Sequence, residues 1–417
     1  MTITRPVASP GRLVALLGVL SALPALAIDL YLPALPTMSG DLGTTPGLLQ
    51  LTVTVFVLGL AVGQVVVGPL SDAWGRRPLL VTGMVAFVAG SLGCLAAPGV
   101  DWLLGARAVQ ALGAAAVTVL ARAVVRDHFE GDEMTRFYST LMLVNGVATV
   151  LGPIVGGQLL LVASWRSCFA VLAVGGTLLL VVVLARLPES LPPQRRRPAR
   201  PRAVAAAFAE VARDRGYRAY ALAGALMFAA MFAYISGSPF VLQTLHGLSA
   251  QQYSVVFAVN ASGIALLGHV NALLVGRAAT AERLLGLSLA GGAVAGLGVL
   301  AAVVLALPLP VLLVALFAVV GLLGPVLANA TSLALAAHPG AAGTAASLLG
   351  VVQYAATGAV VLAMGLVGHD AAASGTGMAV AVATCTAGAA GAYALLRPAG
   401  RDQVTRKWDA VAPVRQT

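Results

Sequence analysis

Two ionisable side chains stand in stretches where charge has no ordinary place. Asp29 lies in Ala27-Ile28-Asp29-Leu30-Tyr31-Leu32-Pro33, and Arg107 opens Arg107-Ala108-Val109-Gln110-Ala111-Leu112-Gly113. Both fall inside long apolar runs. A charge in hydrocarbon costs several kcal/mol unless paired or neutralised, so an intramembrane acid is a candidate carrier of protons. Arg107 is its natural partner. At 1.5 Å per helical residue, Asp29 lies roughly 24 Å beyond Leu13, and Arg107 about 7–8 Å beyond Trp102 on a helix running the other way. In a core of about 30 Å the two reach similar depth. Burial favours the neutral form of a carboxyl and a nearby guanidinium the charged form, so a change in their separation would switch protonation. The alternatives are a static buried pair and an Asp at the membrane interface.

Two further patterns are charged or unusually small. Gly68-Pro69-Leu70-Ser71-Asp72-Ala73-Trp74-Gly75-Arg76-Arg77-Pro78 combines two glycines suited to tight turning and close approach with an acid and two guanidinium groups. Asp72 suits the N-terminus of a neighbouring helix, whose unpaired N–H groups favour negative charge. The helix beginning after Pro339-Gly340 is a candidate, with small residues Gly343, Thr344, Ala345 and Ser347. Arg76 or Arg77 can pair with Asp127. Farther on, Gly152-Pro153-Ile154-Val155-Gly156-Gly157 predicts a kinked helix with a flat face for close packing. Cys94, Cys168 and Cys385 fall in separate apolar runs, with no spacing that suggests a metal site or disulfide. The five histidines are scattered too widely for a catalytic cluster.

The elements that must position these groups follow from composition. Of 417 residues, 59% are hydrophobic and 10% charged, far below the roughly 25% charge of soluble domains. Apolar runs of membrane-spanning length lie near 13–35, 48–70, 79–97, 102–125, 138–162 and 166–187. Six more lie near 219–242, 253–275, 284–306, 309–333, 342–367 and 374–396. The net charge of +10 is almost wholly arginine, and all the basic residues except Arg107, Arg122 and Arg166 fall at alternate ends of these spans or in the tails. That asymmetry predicts both termini in the cytoplasm and makes the basic stretches orientation signals, with no nucleic-acid role. Arg122, near the cytoplasmic end of the fourth span, is expected to snorkel to water. The apolar N-terminus with Ala25-Leu26-Ala27 imitates a cleaved signal peptide, but cleavage would leave an odd number of spans. Pro188–Arg218 divides the chain into residues 1–187, a basic linker 188–218, and residues 219–417. Two six-helix halves predict an internal duplication, as in rocking secondary transporters. There is no Walker motif for ATP-driven transport.

Several of these stretches resemble one family. The loop Gly68–Pro78 matches G-x-L-x-D-x-x-G-R-R-P of the major facilitator superfamily at every defined position, and Arg107, Gln110 and Gly113 match its R-x-x-Q-x-x-G pattern. The Gly152–Gly157 stretch resembles the signature of its drug/proton antiporters, though Ala148 and Thr149 depart from the upstream glycines. Ile28–Pro36, Leu187–Pro193 and Ala230–Phe240 look like the Bcr/CflA group of multidrug exporters. The resemblance implies an all-α polytopic membrane protein of the major facilitator fold, with twelve transmembrane helices in two halves. It also implies a monomer of the cytoplasmic membrane that exports drug-like molecules against protons, without a cofactor. It assigns proton coupling to Asp29 and Arg107. Gating falls to Gly68, Asp72, Gly75, Arg76, Arg77 and Asp127, and the antiporter motif to Gly152, Pro153, Gly156 and Gly157. The expected substrate cavity takes Tyr31, Gln110, Phe228, Met231, Phe232 and Tyr234, an aromatic and thioether surface suited to varied apolar ligands. Competing readings are an exporter of an endogenous metabolite or self-made antibiotic, a membrane-embedded enzyme, and a non-transporting sensor.

Overall fold

Hydrocarbon offers backbone N–H and C=O groups no water, so each apolar run must close its hydrogen bonds within itself. The computed structural model describes residues 10–129, 131–196, 201–336, 338, 341–366 and 375–397. The first six long helices are α1 (Pro10–Asp29), α2 (Pro46–Trp74), α3 (Arg76–Leu95), α4 (Val100–His128), α5 (Gly131–Val162) and α6 (Arg166–Arg186). The second six are α7 (Arg215–Pro239), α8 (Ala250–Leu274), α9 (Ala281–Val304), α10 (Leu309–Ala336), α11 (Ala342–Leu366) and α12 (Thr376–Leu396). The protein is an all-α, multi-pass membrane protein, and among the described residues twelve spans are long and apolar enough to cross a bilayer. A further helix, Pro201–Arg213, lies within the basic linker, and α7 begins at Arg215, four residues before the boundary expected from hydropathy.

The packing repeats with a period of six helices. Contacts of α1 with α5, α2 with α4, α3 with α4 and α3 with α6 recur as α7 with α11, α8 with α10, α9 with α10 and α9 with α12. The halves meet mainly through α2 against α11 and α5 against α8. This is the geometry of two related bundles facing each other across a central space. Lipid tails are as apolar as leucine, so helices hold together by close packing and buried hydrogen bonds. The second half supplies such a bond pair: Asn271 on α8 and Asn329 on α10 exchange amide hydrogen bonds of 3.3 and 2.7 Å.

Helix α4 is the spine of the first half, and glycines let α3 lie directly upon it. A Cβ at Gly90 would come within 2.6 Å of the Gln110 Cα, and one at Gly113 within 2.8 Å of the Phe87 Cα, besides striking the Gly83 carbonyl. Gly105, one face away on α4, has open space. Gly113→Val should therefore split the α3–α4 contact and lower the yield and melting point of detergent-purified protein. Gly105→Ala should leave both unchanged. Equal melting curves for the two variants would show that this interface is not limiting.

Candidate functional site

Proline shapes the site at its first turn. Pro33 carries no N–H and disfavours helix at the residue before it. The ladder of α1 ends with the Leu30 N–H on the Leu26 carbonyl, and a short turn at Leu32–Ala34 follows. The Ala27 carbonyl is left to another donor, and Arg107 takes it. Arg107 Nη1 donates to Ala27 O at 2.9 Å and to Gln110 Oε1 at 2.6 Å, Nη2 to the Tyr31 hydroxyl at 3.3 Å, and Nε to Thr52 O at 3.4 Å. Its Cζ lies 4.3 Å from the Phe56 ring centre and 4.7 Å from that of Tyr31, distances at which an aromatic face attracts a cation. Gln110 in turn donates to Ser91 at 2.8 Å, and Tyr31 shares a 2.9 Å hydrogen bond with Thr52. Arg107, Gln110 and Tyr31 are all fully buried.

This arrangement departs from the sequence expectation in two ways. Asp29 and Arg107 form no ion pair: among the described residues no carboxylate pairs with Arg107, whose charge is met by carbonyl, amide and hydroxyl oxygens and by rings. Equal depth does not fix direction around a helix axis, and Asp29 faces α5, where its Cβ lies 2.9 Å from a Cβ built on Gly152. Tyr31 and Gln110 also leave the expected substrate cavity, because the guanidinium draws both into its own shell.

Asp29 instead lines a cavity between the halves. Thr149, one turn before Pro153 on α5, faces its carboxyl. Phe228, Met231, Phe232 and Tyr234 of α7 line the same cavity, as expected from their spacing. Phe228 packs edge-on against Tyr354 of α11 at 5.6 Å, and Tyr234 stacks on Phe257 of α8 at 5.8 Å. The Tyr234 hydroxyl accepts a 2.9 Å hydrogen bond from Asn260.

The small residues of α5 seal one end of this space. Gly152, Pro153, Gly156 and Gly157 are all buried. A Cβ at Gly156 would overlap the Leu30 carbonyl, and one at Gly157 would come within 2.6 Å of Ser254 Oγ. Ser254 donates to Pro153 O at 2.6 Å, Gln251 to Gly157 O at 2.8 Å, and Gln243 to Pro33 O at 3.2 Å. These bonds tie α8 and the turn after α7 to the first half, at the end of the bundle away from the Gly68–Pro78 loop.

At the loop end, Arg76 gathers the acids. It pairs with Asp72 at 2.7 Å and Asp127 at 3.1 Å, and contacts Ser71. Arg77 turns away and donates to Leu184 O at 2.8 Å. Gly75 adopts φ +104°, a conformation natural only to glycine, and a Cβ there would meet Glu189 at 2.5 Å. Gly68 has open space around it, so close approach does not explain that glycine. The Pro339-Gly340 start expected for the helix that receives Asp72 lies outside the described residues.

The chain's relatives share this frame. Residues 17–362 match the Major Facilitator Superfamily model. The chain belongs to the major facilitator superfamily. An uncharacterised MFS-type transporter of Bacillus subtilis is 36% identical over 81% of this chain and 84% of its own. A bicyclomycin resistance protein homologue of Haemophilus influenzae is 30% identical over 81% and 85%. A solved D-xylose–proton symporter superposes with a TM-score of 0.74 at 16% identity, over 93% of this chain and 97% of that one, a likeness of fold alone. Among the superfamily's branches, it is with the Bcr/CflA-type drug-resistance transporters that this chain stands. Superfamily members are transporters, not enzymes.

One pair of residues in this transporter escapes sequence reasoning. Glu189, just past α6, accepts hydrogen bonds from the Arg76 N–H at 2.8 Å and the Arg77 N–H at 3.3 Å. It thus satisfies the unpaired N-terminal donors of α3 from more than a hundred residues away. Ser190 donates to Asp127 at 2.9 Å. The only trace in the sequence is the Pro188-Glu189-Ser190 stretch itself, whose partners no local pattern reveals. Glu189→Ala should cost about 1–2 kcal/mol, as for a lost helix cap, lowering the melting point in detergent and slowing transport. An unchanged melting point and rate would show that the linker does not hold the loop.

Proposed function

We propose that this transporter exports small, largely apolar molecules across the cytoplasmic membrane in exchange for protons, acting as a monomer with both termini inside. Asp29 carries this reading. It is the acid in the cavity wall, buried against α5, with no basic side chain paired to it among the described residues. A carboxylate so placed is stabilised by a proton or by a ligand's hydrogen-bond donor, and one site cannot take both. That exclusivity is the requirement of antiport.

The cycle follows. Substrate enters from the cytoplasm or inner leaflet while Asp29 is ionised. The halves rock, breaking the bonds of Gln251 and Ser254 to α5 and the bond of Gln243 to Pro33, while the inner end closes as Asp72, already held by Arg76 beside Asp127, meets the N-terminus of α11. A proton from outside binds Asp29, and the substrate leaves. The neutral site returns and releases its proton inside, where each charge moved yields about 2.3 kcal/mol per 100 mV. Arg107 serves as a fixed counter-charge that holds the broken end of α1 and so sets the position of Asp29. The drug-resistance name of the Haemophilus relative supports the cargo class.

Asp29→Asn keeps the shape of the side chain but cannot cycle between charged and neutral forms. In proteoliposomes, substrate addition should drive proton movement through the wild type and none through this variant, with insertion and melting point retained. Substrate-linked proton movement through Asp29→Asn would assign the coupling to another group.

A further inference from the structure

The walls of the cavity are of two kinds. Its polar side chains Ser21, Asp29, Thr118, Arg122, Asn145 and Thr149 all come from α1, α4 and α5 of the first half. The facing wall, from α7, α8 and α10, is built of Phe228, Met231, Phe232, Phe257 and other apolar residues, relieved among the described residues by Tyr234 and the α11 residue Tyr354. The spacing of the polar groups is regular. Thr118 and Arg122 are four apart on α4, as are Asn145 and Thr149 on α5, so each pair stacks along one helix face.

The rise of a helix sets their order in depth. Arg122 lies six residues from the loop end of α4 at His128, roughly 9 Å along the axis. Asp29 lies 19 residues from the loop end of α1 at Pro10, roughly 28 Å along. Thr118, Ser21, Asn145 and Thr149 fall between. The polar wall is a track from a guanidinium near the loop end to a carboxyl at the far end. Arg122 is exposed and lines the cavity, and Tyr354 stands close by across the gap between the halves.

We propose that Arg122 is the specificity-determining charge of this cavity: a fixed cation at its inner mouth that turns away lipophilic cations and admits neutral amphipathic molecules. A guanidinium stays charged throughout the cycle. In a narrow, low-dielectric passage it raises an electrostatic barrier to any cation, as arginines do in selective pores. Asp29, which would attract a cation, lies too deep to offset that barrier at the point of entry. A neutral molecule meets no such barrier. Its acceptors lie toward Arg122 and the hydroxyl and amide side chains, its donors toward Asp29, and its apolar face on Phe228, Phe232 and Phe257. This rests on the export reading above and narrows it from drug-like cargo to a charge class.

The test compares two probes of similar mass, each in wild type and in the variants so that the difference in apolar area cancels, by equilibrium binding to purified protein and by uptake into inverted vesicles. Chloramphenicol is neutral, with hydroxyl and amide donors; tetraphenylphosphonium is a cation with none. Wild type should prefer chloramphenicol by roughly ten-fold or more, about 1.4 kcal/mol. Arg122→Gln should narrow that ratio, and Arg122→Glu should reverse it, while Arg122→Lys should preserve the preference. Melting curves recorded beside the binding data separate a change of selectivity from a loss of fold, and Arg122→Lys, which keeps the charge, is the control. Equal binding of both probes by wild type, or a preference unchanged in Arg122→Glu, would overturn the assignment. The expected order without any proton movement would uphold it and remove antiport instead, so the two readings fail separately.

Discussion

A guanidinium sealed among helices in a membrane must find partners for its N–H groups, and the first half of this protein is arranged around that requirement. Arg107 finds them in the carbonyls of Ala27 and Thr52, the Gln110 amide and the Tyr31 hydroxyl, under the rings of Phe56 and Tyr31. Each partner belongs to a different constraint. Ala27 is available because the ladder of α1 ends with the Leu30 N–H on the Leu26 carbonyl, one step before it. Thr52 brings in α2, and Gln110 passes the network to Ser91 on α3. Three helices and a broken fourth are thereby held to one charge. Removing the charge would leave several buried acceptors unpaired, at roughly 1–3 kcal/mol each.

The break in α1 places Asp29 in turn. With the helix ending there, the chain bends through Leu32–Ala34 and runs against α5, which offers glycine at Gly152 and Gly156 where a larger residue would collide. Asp29 thus meets the cavity from the face opposite the arginine network. The α5 glycines also admit Ser254 and Gln251 of the other half, so the stretch that seats Asp29 is the stretch through which the halves touch. In the proposed cycle, protonation at Asp29 and rocking of the halves act on a shared surface of a few side chains. At the other end, Arg76 joins Asp72 and Asp127 while the linker's Glu189 holds the backbone of the turn.

Much of this was legible in the sequence because membrane insertion imposes few, strong rules. Length and hydropathy placed twelve spans, and a deep Asp marked itself by its cost. Gly152–Gly157 announced close packing, and the α7 aromatics do line the cavity. What could not be read was direction around an axis and distance across the chain. Depth alone paired Asp29 with Arg107, whereas the free carbonyl before Pro33 competes successfully for the guanidinium. Tyr31 and Gln110 looked like cavity residues because they neighbour those two groups in sequence. Glu189 had no visible partner because the N–H groups it caps lie more than a hundred residues earlier. Arg122, expected to reach water near a helix end, also lines the space between the halves, which its place in the sequence does not reveal.

The central claim is that one carboxyl, Asp29, takes either a proton or a substrate. Calorimetric titration of chloramphenicol into purified protein, repeated in buffers of different ionisation enthalpy, measures protons exchanged on binding without any membrane or gradient. The account requires that binding release a proton from wild type over the pH range in which Asp29 titrates, and release none from Asp29→Asn. Binding heats that do not depend on the buffer in wild type at any pH, or proton release that persists in Asp29→Asn, would contradict it.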